Sequence, residues 1–157
     1  MSDVFAAAVE IQSVLESQQR RFCIIGGVAL ARWGEPRTTA DVDLALLTQF
    51  GEEERTVDAL LKVFKPRIDG AREFALQNRV LLLQASNGIG IDASLAALPY
   101  EERLIERSSP CDFGRGVVLT TASAEDIVVL KTIAGRRKDW MDIEGILIRQ
   151  EQRLNWK

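Results

Sequence analysis

The most informative absence from this sequence is histidine, which occurs nowhere among the 157 residues. Without an imidazole, neither Ser-His nor Cys-His catalysis is available, and a histidine-bound zinc site is excluded as well. The two cysteines, Cys23 in an apolar run and Cys111 in a stretch with proline and glycine, form neither a disulfide framework nor a CxxC metal motif. Any chemistry must therefore come from carboxylates, lysines or arginines.

Long apolar runs and a basic start are also missing. No segment approaches the length of a membrane span, and the first residues carry the acidic side chains Asp3 and Glu10. These features predict a cytoplasmic protein without membrane association. The formal net charge of -3 argues against strong non-specific attraction to nucleic acid. The basic clusters at 20–21 and 136–138 could contact phosphate, but taken alone each fits a solvated face better.

What is present is the composition of an ordinary globular protein, with 46% apolar and 27% charged residues. The length fits one compact domain, and no repeat, low-complexity tract or linker divides it. We therefore predict a single domain over residues 1–157, with a core at about 20–121 and C-terminal helices at about 123–151.

The order of apolar and turn residues predicts an α/β (α+β) fold, a mixed twisted sheet with flanking helices. Asn87-Gly88 between two apolar runs indicates a β-hairpin. The predicted strands are 22–25, 42–47, 80–85, 89–95 and 117–120. The predicted helices are 2–19, 28–33 ending at Gly34, 52–65 stopped by Pro66, 100–106, a helix beginning at Ala124 after the cap Ser123, and 138–151.

Asp41 and Asp43 lie two residues apart on a predicted strand. Period-two geometry puts both carboxylates on one face, about 5–7 Å apart. Such a pair is costly without a cation, and a hard divalent ion such as Mg²⁺ is the usual remedy. A strand end with two solvated aspartates is the alternative, and for a bare Asp-x-Asp it is the commoner one.

Gly26-Gly27 separates a predicted strand from a predicted helix. Missing side chains allow backbone N–H groups at a helix N-terminus to approach a phosphate closely. Taken alone, a glycine pair is much better explained by a tight strand-to-helix turn. The combination is more telling, because strand, glycine pair, helix, basic loop and Asp-x-Asp strand follow one another within one short stretch.

These residues resemble the signature of the polymerase-beta-like nucleotidyltransferase superfamily, in which a glycine pair precedes Asp-x-Asp. Here Gly26-Gly27 and Asp41-Val42-Asp43-Leu44 are separated by thirteen residues. The segment IGGVALARWGEPRTTADVDLAL is most similar to the small bacterial group that contains abortive-infection and toxin nucleotidyltransferases. SAEDIVVLKTIAGRRKDWMDIEGIL is similar to that group's C-terminal element, so the resemblance covers most of the chain.

The resemblance implies a third carboxylate on a neighbouring strand, and Asp92 in Gly90-Ile91-Asp92 is the candidate. A salt bridge to an arginine explains a charge in this apolar setting equally well. In the family-like interpretation Asp41, Asp43 and Asp92 hold Mg²⁺ or Mn²⁺. Asp92 also orients or deprotonates the acceptor hydroxyl, while the Gly26-Gly27 backbone binds the triphosphate of an NTP substrate.

Four further features are weaker candidates. Arg37 and Thr39, in the loop ahead of the aspartates, and Lys131, on a later helix, match positions that contact nucleotide in relatives. A locally paired Arg37 and a helix lysine with its charge in solvent are the alternatives. The charged element of the last helix, Lys138-Asp139 and Asp142, could simply form ion pairs. The tryptophans could stack on a base, although core packing or partner contact explains them better: Trp33, Trp140 and Trp156.

The resemblance leaves several functions open. The first is a metal-dependent nucleotidyltransferase that modifies an RNA 3′ end or a protein, as toxins of this group do, with a cognate antitoxin or partner chain. The second is a small-molecule nucleotidyltransferase of the antibiotic-modifying type. The third is a degenerate nucleotidyltransferase fold that only binds or regulates, since the chain lacks an extended acceptor-binding region.

Overall fold

A computed structural model describes residues 3–156, which form a single seven-stranded sheet with helices on both faces. The strands, all in this sheet, are β1 (Phe22–Ile25), β2 (Asp41–Leu47), β3 (Lys65–Pro66), β4 (Val80–Gln84), β5 (Gly90–Ala96), β6 (Ser109–Asp112) and β7 (Val118–Thr121).

Seven α-helices connect and cover the strands within the described part of the chain. They are α1 (Asp3–Ser17), α2 (Gly26–Trp33), α3 (Glu53–Leu61), α4 (Ala71–Asn78), α5 (Pro99–Glu106), α6 (Ala124–Ala134) and α7 (Arg137–Gln150). A short 3-10 turn, Glu151–Arg153, follows α7. No helix between residues 3 and 156 is both long enough and apolar enough to span a bilayer.

The sheet is mixed, as the sequence predicted. Its strand order is β3-β4-β5-β2-β1-β7-β6. Strands β2 and β5 run parallel, as do β1 and β7, whereas β1 pairs antiparallel with β2 and β4 pairs antiparallel with β5. The parallel pair β2 and β5 therefore lies in the middle of the sheet, flanked by β4 on one side and β1 on the other.

Alternation along the strands separates two hydrophobic cores. The first core includes Val42, Leu44 and Leu46 of β2, packed with apolar residues of α1, α3 and α4. The second includes Ala45 of β2, packed with apolar residues of α2, α5, α6 and α7. Because successive side chains point to opposite faces, Asp41 and Asp43 lie on the face covered by the second set of helices.

The last helix is tied to the loop that leads into β2. Arg149 donates to the carbonyl of Gly34 at 3.0 Å, and Gln150 donates to the carbonyl of Trp33 at 2.8 Å. Helix α7 also packs on α2 through Ile146, which is fully buried near Gly34. The C-terminal helix thereby fixes the end of α2 and the start of the following loop.

Most predicted elements occur, and the hairpin is confirmed, with its turn closed by a bond from Ala85 N–H to the Ile89 carbonyl at 2.9 Å. The prediction of one helix over 52–65 is wrong. Helix α3 ends at Leu61, since the N–H groups of Val63 and Phe64 both bond to the Leu60 carbonyl and turn the chain. The side chain of Phe64 is buried, and the next residues form β3.

Candidate active site

The three predicted aspartates lie on one face of the two central parallel strands. Asp43 of β2 and Asp92 of β5 occupy paired positions in the register, and Asp41 is paired with Gly90. Side chains at paired positions project to the same side of a sheet. The fold thus brings together Asp41 and Asp43 with an aspartate about fifty positions away along the chain.

The glycine pair forms the first turn of α2, directly after β1. Gly26 has φ of +61°, a left-handed conformation, and a Cβ built on it would overlap the carboxylate of Asp43. A Cβ on Gly27 would lie 2.6 Å from Oγ1 of Thr39. The missing side chains therefore let the N-terminus of α2 approach both Asp43 and the loop ahead of Asp41.

Burial and neighbouring charge both act on Asp43. Desolvation raises the pKa of its carboxyl group, and the charges of Asp92 and Asp41 raise it further. A backbone hydrogen bond from Gly27 and the charge of Arg136 lower this pKa in part. Asp43 is accordingly a carboxylate whose negative charge is incompletely compensated in the protein alone.

Arg67, which directly follows β3, reaches the other two carboxylates. Its Nη2 lies 2.5 Å from Oδ1 of Asp92, and its Nη1 lies 3.4 Å from Oδ1 of Asp41. Its backbone N–H donates to the Leu82 carbonyl at 3.0 Å. Burial raises the pKa of Asp92, and the charge and hydrogen bond of Arg67 act in the opposite direction. Arg67 is therefore the counter-ion of this carboxylate pair.

A second charged cluster joins the loop ahead of β2 to α6 and α7. Lys131 Nζ lies 2.6 Å from Asp142 and 3.5 Å from Asp139, and all three side chains are buried. Arg37 pairs with Asp142 at 3.2 Å, and Arg136 pairs with Asp139 at 2.6 Å. The hydrogen bond from Arg136 is the main reason that the pKa of Asp139 falls to about 2. The cluster thus contains three cations around two carboxylates.

A cavity of about 250 Å³ lies between the aspartate-bearing face and α6. Its polar side is formed by Gly26, Asp43 and Arg136, together with the two buried partners Lys131 and Asp139. Its apolar wall consists of Ile25, Ile127, Leu130 and Ala134. The cavity therefore has an apolar wall on one side and, on the other, the N-terminus of α2 with two cations and two carboxylates.

The carboxylates are the kind of donor that a hard divalent cation requires, since oxygen ligands from aspartate suit Mg²⁺. Within residues 3–156, however, no group of three or more potential ligand side chains is arranged to hold a metal ion. Oxygens of Asp41 and Asp92 accept hydrogen bonds from Arg67. The carboxylates are of the chemical type that binds a divalent cation. In this structure the guanidinium of Arg67 balances the negative charge of Asp41 and Asp92.

The remaining sequence candidates fall into two groups. Thr39 lies beside Gly27, close to the aspartates, whereas Arg37 and Lys131 meet at the carboxylate of Asp142. Lys138 and Asp142, spaced for a helical ion pair, do not pair, because Asp142 binds Arg37 and Lys131 while Lys138 is exposed. The alternative of a local partner does not hold for Arg37, because Asp142 is 105 positions away in the chain. The alternative of a charge in solvent does not hold for Lys131, because its side chain is buried against Asp142.

The tryptophans lie apart from this cavity. The indole N–H of Trp33 donates to the Ala122 carbonyl at 2.8 Å, and Arg32 stacks on its ring at 4.0 Å. Trp140 and Trp156 are more than half exposed on the surface.

Two arginines of the site were not predicted as site residues. Arg67 lay in a segment without strong periodicity, next to a strand of only two residues that could not be recognised. Arg136 belonged to a basic cluster whose solvated interpretation was preferred. The signal for Arg136 was present, since a basic run directly after a helix that carries Lys131 is a plausible phosphate contact.

Comparison with known proteins gives a consistent result. The model of a family described as nucleotidyltransferases of unknown function (DUF6036) matches residues 2–156. Among curated proteins, no sequence matches this chain significantly.

Several solved structures share the fold. The antibiotic-resistance factor ANT(2'')-Ia superposes with a TM-score of 0.63 at 18% identity, over 96% of this chain and 84% of that one. A lincosamide antibiotic adenylyltransferase, LnuA, superposes with a TM-score of 0.58 at 12% identity, over 88% and 92% of the two chains. An antigenic nucleotidyltransferase-like protein from Paracoccidioides brasiliensis gives 0.57 at 20% identity, over 93% and 75%.

Proposed function

The chain belongs to the DUF6036 family of nucleotidyltransferases, and from that premise we propose that it transfers a nucleoside monophosphate from an NTP to an acceptor hydroxyl in a reaction that requires a divalent cation. The observation that carries this proposal is the placement of Asp43 and Asp92 at paired positions of adjacent parallel strands, with Asp41 on the same face. The N-terminus of α2 lies against this face.

In this proposal the nucleotide occupies the cavity between the aspartates and α6. The base packs on the apolar wall that includes Ile127 and Leu130, and the phosphates face the backbone of Gly26-Gly27. Arg136 lies at the phosphate side, and 62% of its side chain is exposed, so it is accessible to a ligand. Lys131 lines the same cavity and is held in place by its buried pairing with Asp139 and Asp142.

Asp41, Asp43 and Asp92 would hold Mg²⁺ or Mn²⁺. When bound by these carboxylates, the cation would supply positive charge that polarises the α-phosphate and neutralises the pyrophosphate leaving group. Asp92 is the residue that we assign to the acceptor, where it orients the hydroxyl and accepts its proton. In the cation-free protein, burial raises the pKa of Asp92, and the charge and hydrogen bond of Arg67 lower it.

The acceptor is proposed by class only. The sequence resemblance favours an RNA 3′ end or a protein hydroxyl, with a cognate antitoxin or partner chain, as in the abortive-infection and toxin group. The fold neighbours include ANT(2'')-Ia, solved in complex with adenylyl-2''-tobramycin, and LnuA, solved with lincomycin bound. A small hydroxylated molecule is therefore the second acceptor class to test.

A binding module without catalysis is the competing function, and one observation favours it. Arg67 already pairs with Asp41 and Asp92, and no group of three ligand side chains in the described range is arranged for a metal. In that case the chain would bind a nucleotide or a partner protein, and divalent cations would have no effect on binding.

Calorimetry with ATP, CTP, GTP and UTP tests the proposal. The wild-type protein should bind at least one of them in the presence of Mg²⁺, and EDTA should weaken that binding at least tenfold. The variant Asp41→Asn/Asp43→Asn should lose the Mg²⁺-dependent part.

The matched control is Asp58→Asn, which removes a carboxylate paired with Arg72 on the opposite face of the sheet and should bind as the wild type does. Equal nucleotide binding with Mg²⁺ and with EDTA would favour the binding module. When binding depends on Mg²⁺, incubation with the labelled triphosphate and candidate acceptors shows which class receives the label.

A further inference from the structure

Arg67 places a positive charge beside the carboxylates of Asp41 and Asp92. It follows β3 and lies outside the segment that contains the glycine pair and Asp-x-Asp. It bridges Asp92 at 2.5 Å and Asp41 at 3.4 Å. A Cβ on Gly90, the residue paired with Asp41, would collide with both the guanidinium of Arg67 and the carboxylate of Asp41. The absence of a side chain at position 90 therefore provides the space in which the guanidinium lies.

We infer that Arg67 is a displaceable internal counter-ion, so that a divalent cation binds Asp41 and Asp92 only in exchange for its guanidinium. This inference rests on the proposed function, because it concerns the same carboxylates. Arg67, which directly follows β3, sets how tightly the site binds a divalent cation.

The surroundings permit this exchange. The side chains of Arg67, Asp41 and Asp92 are 29%, 48% and 32% exposed, so each reaches solvent. Arg67 follows a two-residue edge strand, and its backbone is held by its N–H bond to Leu82. The side chain can therefore leave the carboxylates for water while its backbone stays in place, and a guanidinium remains charged when it does so.

The exchange also determines the direction of the effect. A cation that binds the carboxylates must break the two contacts of Arg67 and overcome the positive charge of the guanidinium. The affinity of the site for the cation is therefore lower than that of the same aspartates without Arg67. Without Arg67, the three aspartates repel one another and the divalent cation relieves that repulsion directly. Removal of the arginine should thus tighten cation binding, the opposite of what removal of a ligand does.

Mn²⁺ binding in the absence of nucleotide tests this inference, measured by electron paramagnetic resonance of the free ion. The expected result is that Arg67→Gln binds Mn²⁺ about tenfold more tightly than the wild type. Arg67→Lys, which keeps the charge but loses the two-point contact, should lie between them. Asp92→Asn should bind more weakly than the wild type.

Arg72→Gln is the matched control, because Arg72 also bridges two carboxylates, Asp58 and Glu54, but at a distance from the site. It should leave Mn²⁺ affinity unchanged. Thermal melting provides a second readout that depends on the folded variant itself. Mn²⁺ should raise the melting temperature of Arg67→Gln more than that of the wild type.

Equal or weaker Mn²⁺ binding by Arg67→Gln, with the variant folded, would overturn the inference. The proposed function would survive that result if nucleotide binding by the wild type still required Mg²⁺. Failure of both the wild type and Arg67→Gln to bind Mn²⁺ would also overturn the inference, while the Mg²⁺ dependence of nucleotide binding would still decide the proposed function. If Arg67→Gln does not fold, the comparison of Arg67→Lys with the wild type decides the matter in the same way.

Discussion

Gly26 lies so close to Asp43 that a side chain at position 26 would occupy the space of that carboxylate. The contact joins the start of α2 to the strand that carries the aspartates. Position 26 requires a glycine for two reasons. Its φ of +61° is left-handed, and Asp43 approaches it closely.

Gly26→Ala should therefore be costly for both folding and binding. We expect a loss of about 1 kcal/mol for the left-handed backbone and a further ~1–3 kcal/mol for overpacking against Asp43, measured by urea unfolding. Gly51→Ala is the matched control, since Gly51 has φ of +90° with open space around it, and it should show only the backbone cost. Gly26→Ala/Asp43→Ala should recover part of the loss; no recovery would show that the contact with Asp43 is not its cause.

Asp43→Asn should stabilise the cation-free protein at neutral pH. Because the folded-state pKa of Asp43 is raised, stability is lost as pH rises from the ordinary value of 3.8 through the raised pKa. The variant should have the higher melting temperature at pH 7 in EDTA, and the difference should vanish near pH 3. Asp58→Asn should show the opposite sign at pH 7, because Arg72 lowers the pKa of Asp58.

Asp139→Asn should destabilise the protein at neutral pH. The variant leaves Lys131 and Arg136 with a neutral partner in a buried site, and we expect a loss of roughly 1–3 kcal/mol in urea unfolding. The folded-state pKa of Asp139 is about 2, below the ordinary 3.8, so its stabilisation is complete above pH 3.8 and is lost as pH falls through 2. A difference between variant and wild type that stayed constant down to pH 2 would contradict this assignment.

Leu130→Glu should weaken nucleotide binding at least tenfold. The substitution replaces part of the apolar wall of the cavity with a negative charge facing the nucleotide. Ile133→Glu, on the same helix but with 75% of the side chain exposed, should bind as the wild type does. Calorimetry with the preferred triphosphate and Mg²⁺ measures both; unchanged affinity in Leu130→Glu would place the base elsewhere.

The local order of the site was predictable from the sequence. Strand β1, the glycine pair, α2 and the Asp-x-Asp strand follow one another within 26 residues, from Phe22 to Leu47, and the glycines mark the boundary between strand and helix. The hairpin turn at Asn87-Gly88 placed Asp92 on the following strand. The nucleotidyltransferase resemblance is confirmed by the family match, whereas the toxin group, the roles of the site residues and the single-domain division stay predictions.

The elements that were missed are those with little local signal. Strand β3 has two residues, β6 contains Pro110, and α4 buries only the small side chains Ala71 and Ala75. Arg67 reaches the aspartates only because β3 pairs with β4 at the sheet edge. Such a contact depends on long-range pairing, which no local pattern reveals. The pairing of Arg37 and Lys131 at Asp142 likewise required the packing of α7.

The attachment of α7 to the loop behind Trp33 has a practical consequence for protein engineering. A fragment that ended before residue 137 would keep the whole sheet and all three aspartates. It would nevertheless lose the Asp142 carboxylate that pairs with Arg37. It would also lose the side chains of Arg149 and Gln150, which hydrogen-bond to the carbonyls of Gly34 and Trp33. A minimal version of this protein should therefore not be trimmed from the C-terminal side, and fusion partners are better joined beyond α7.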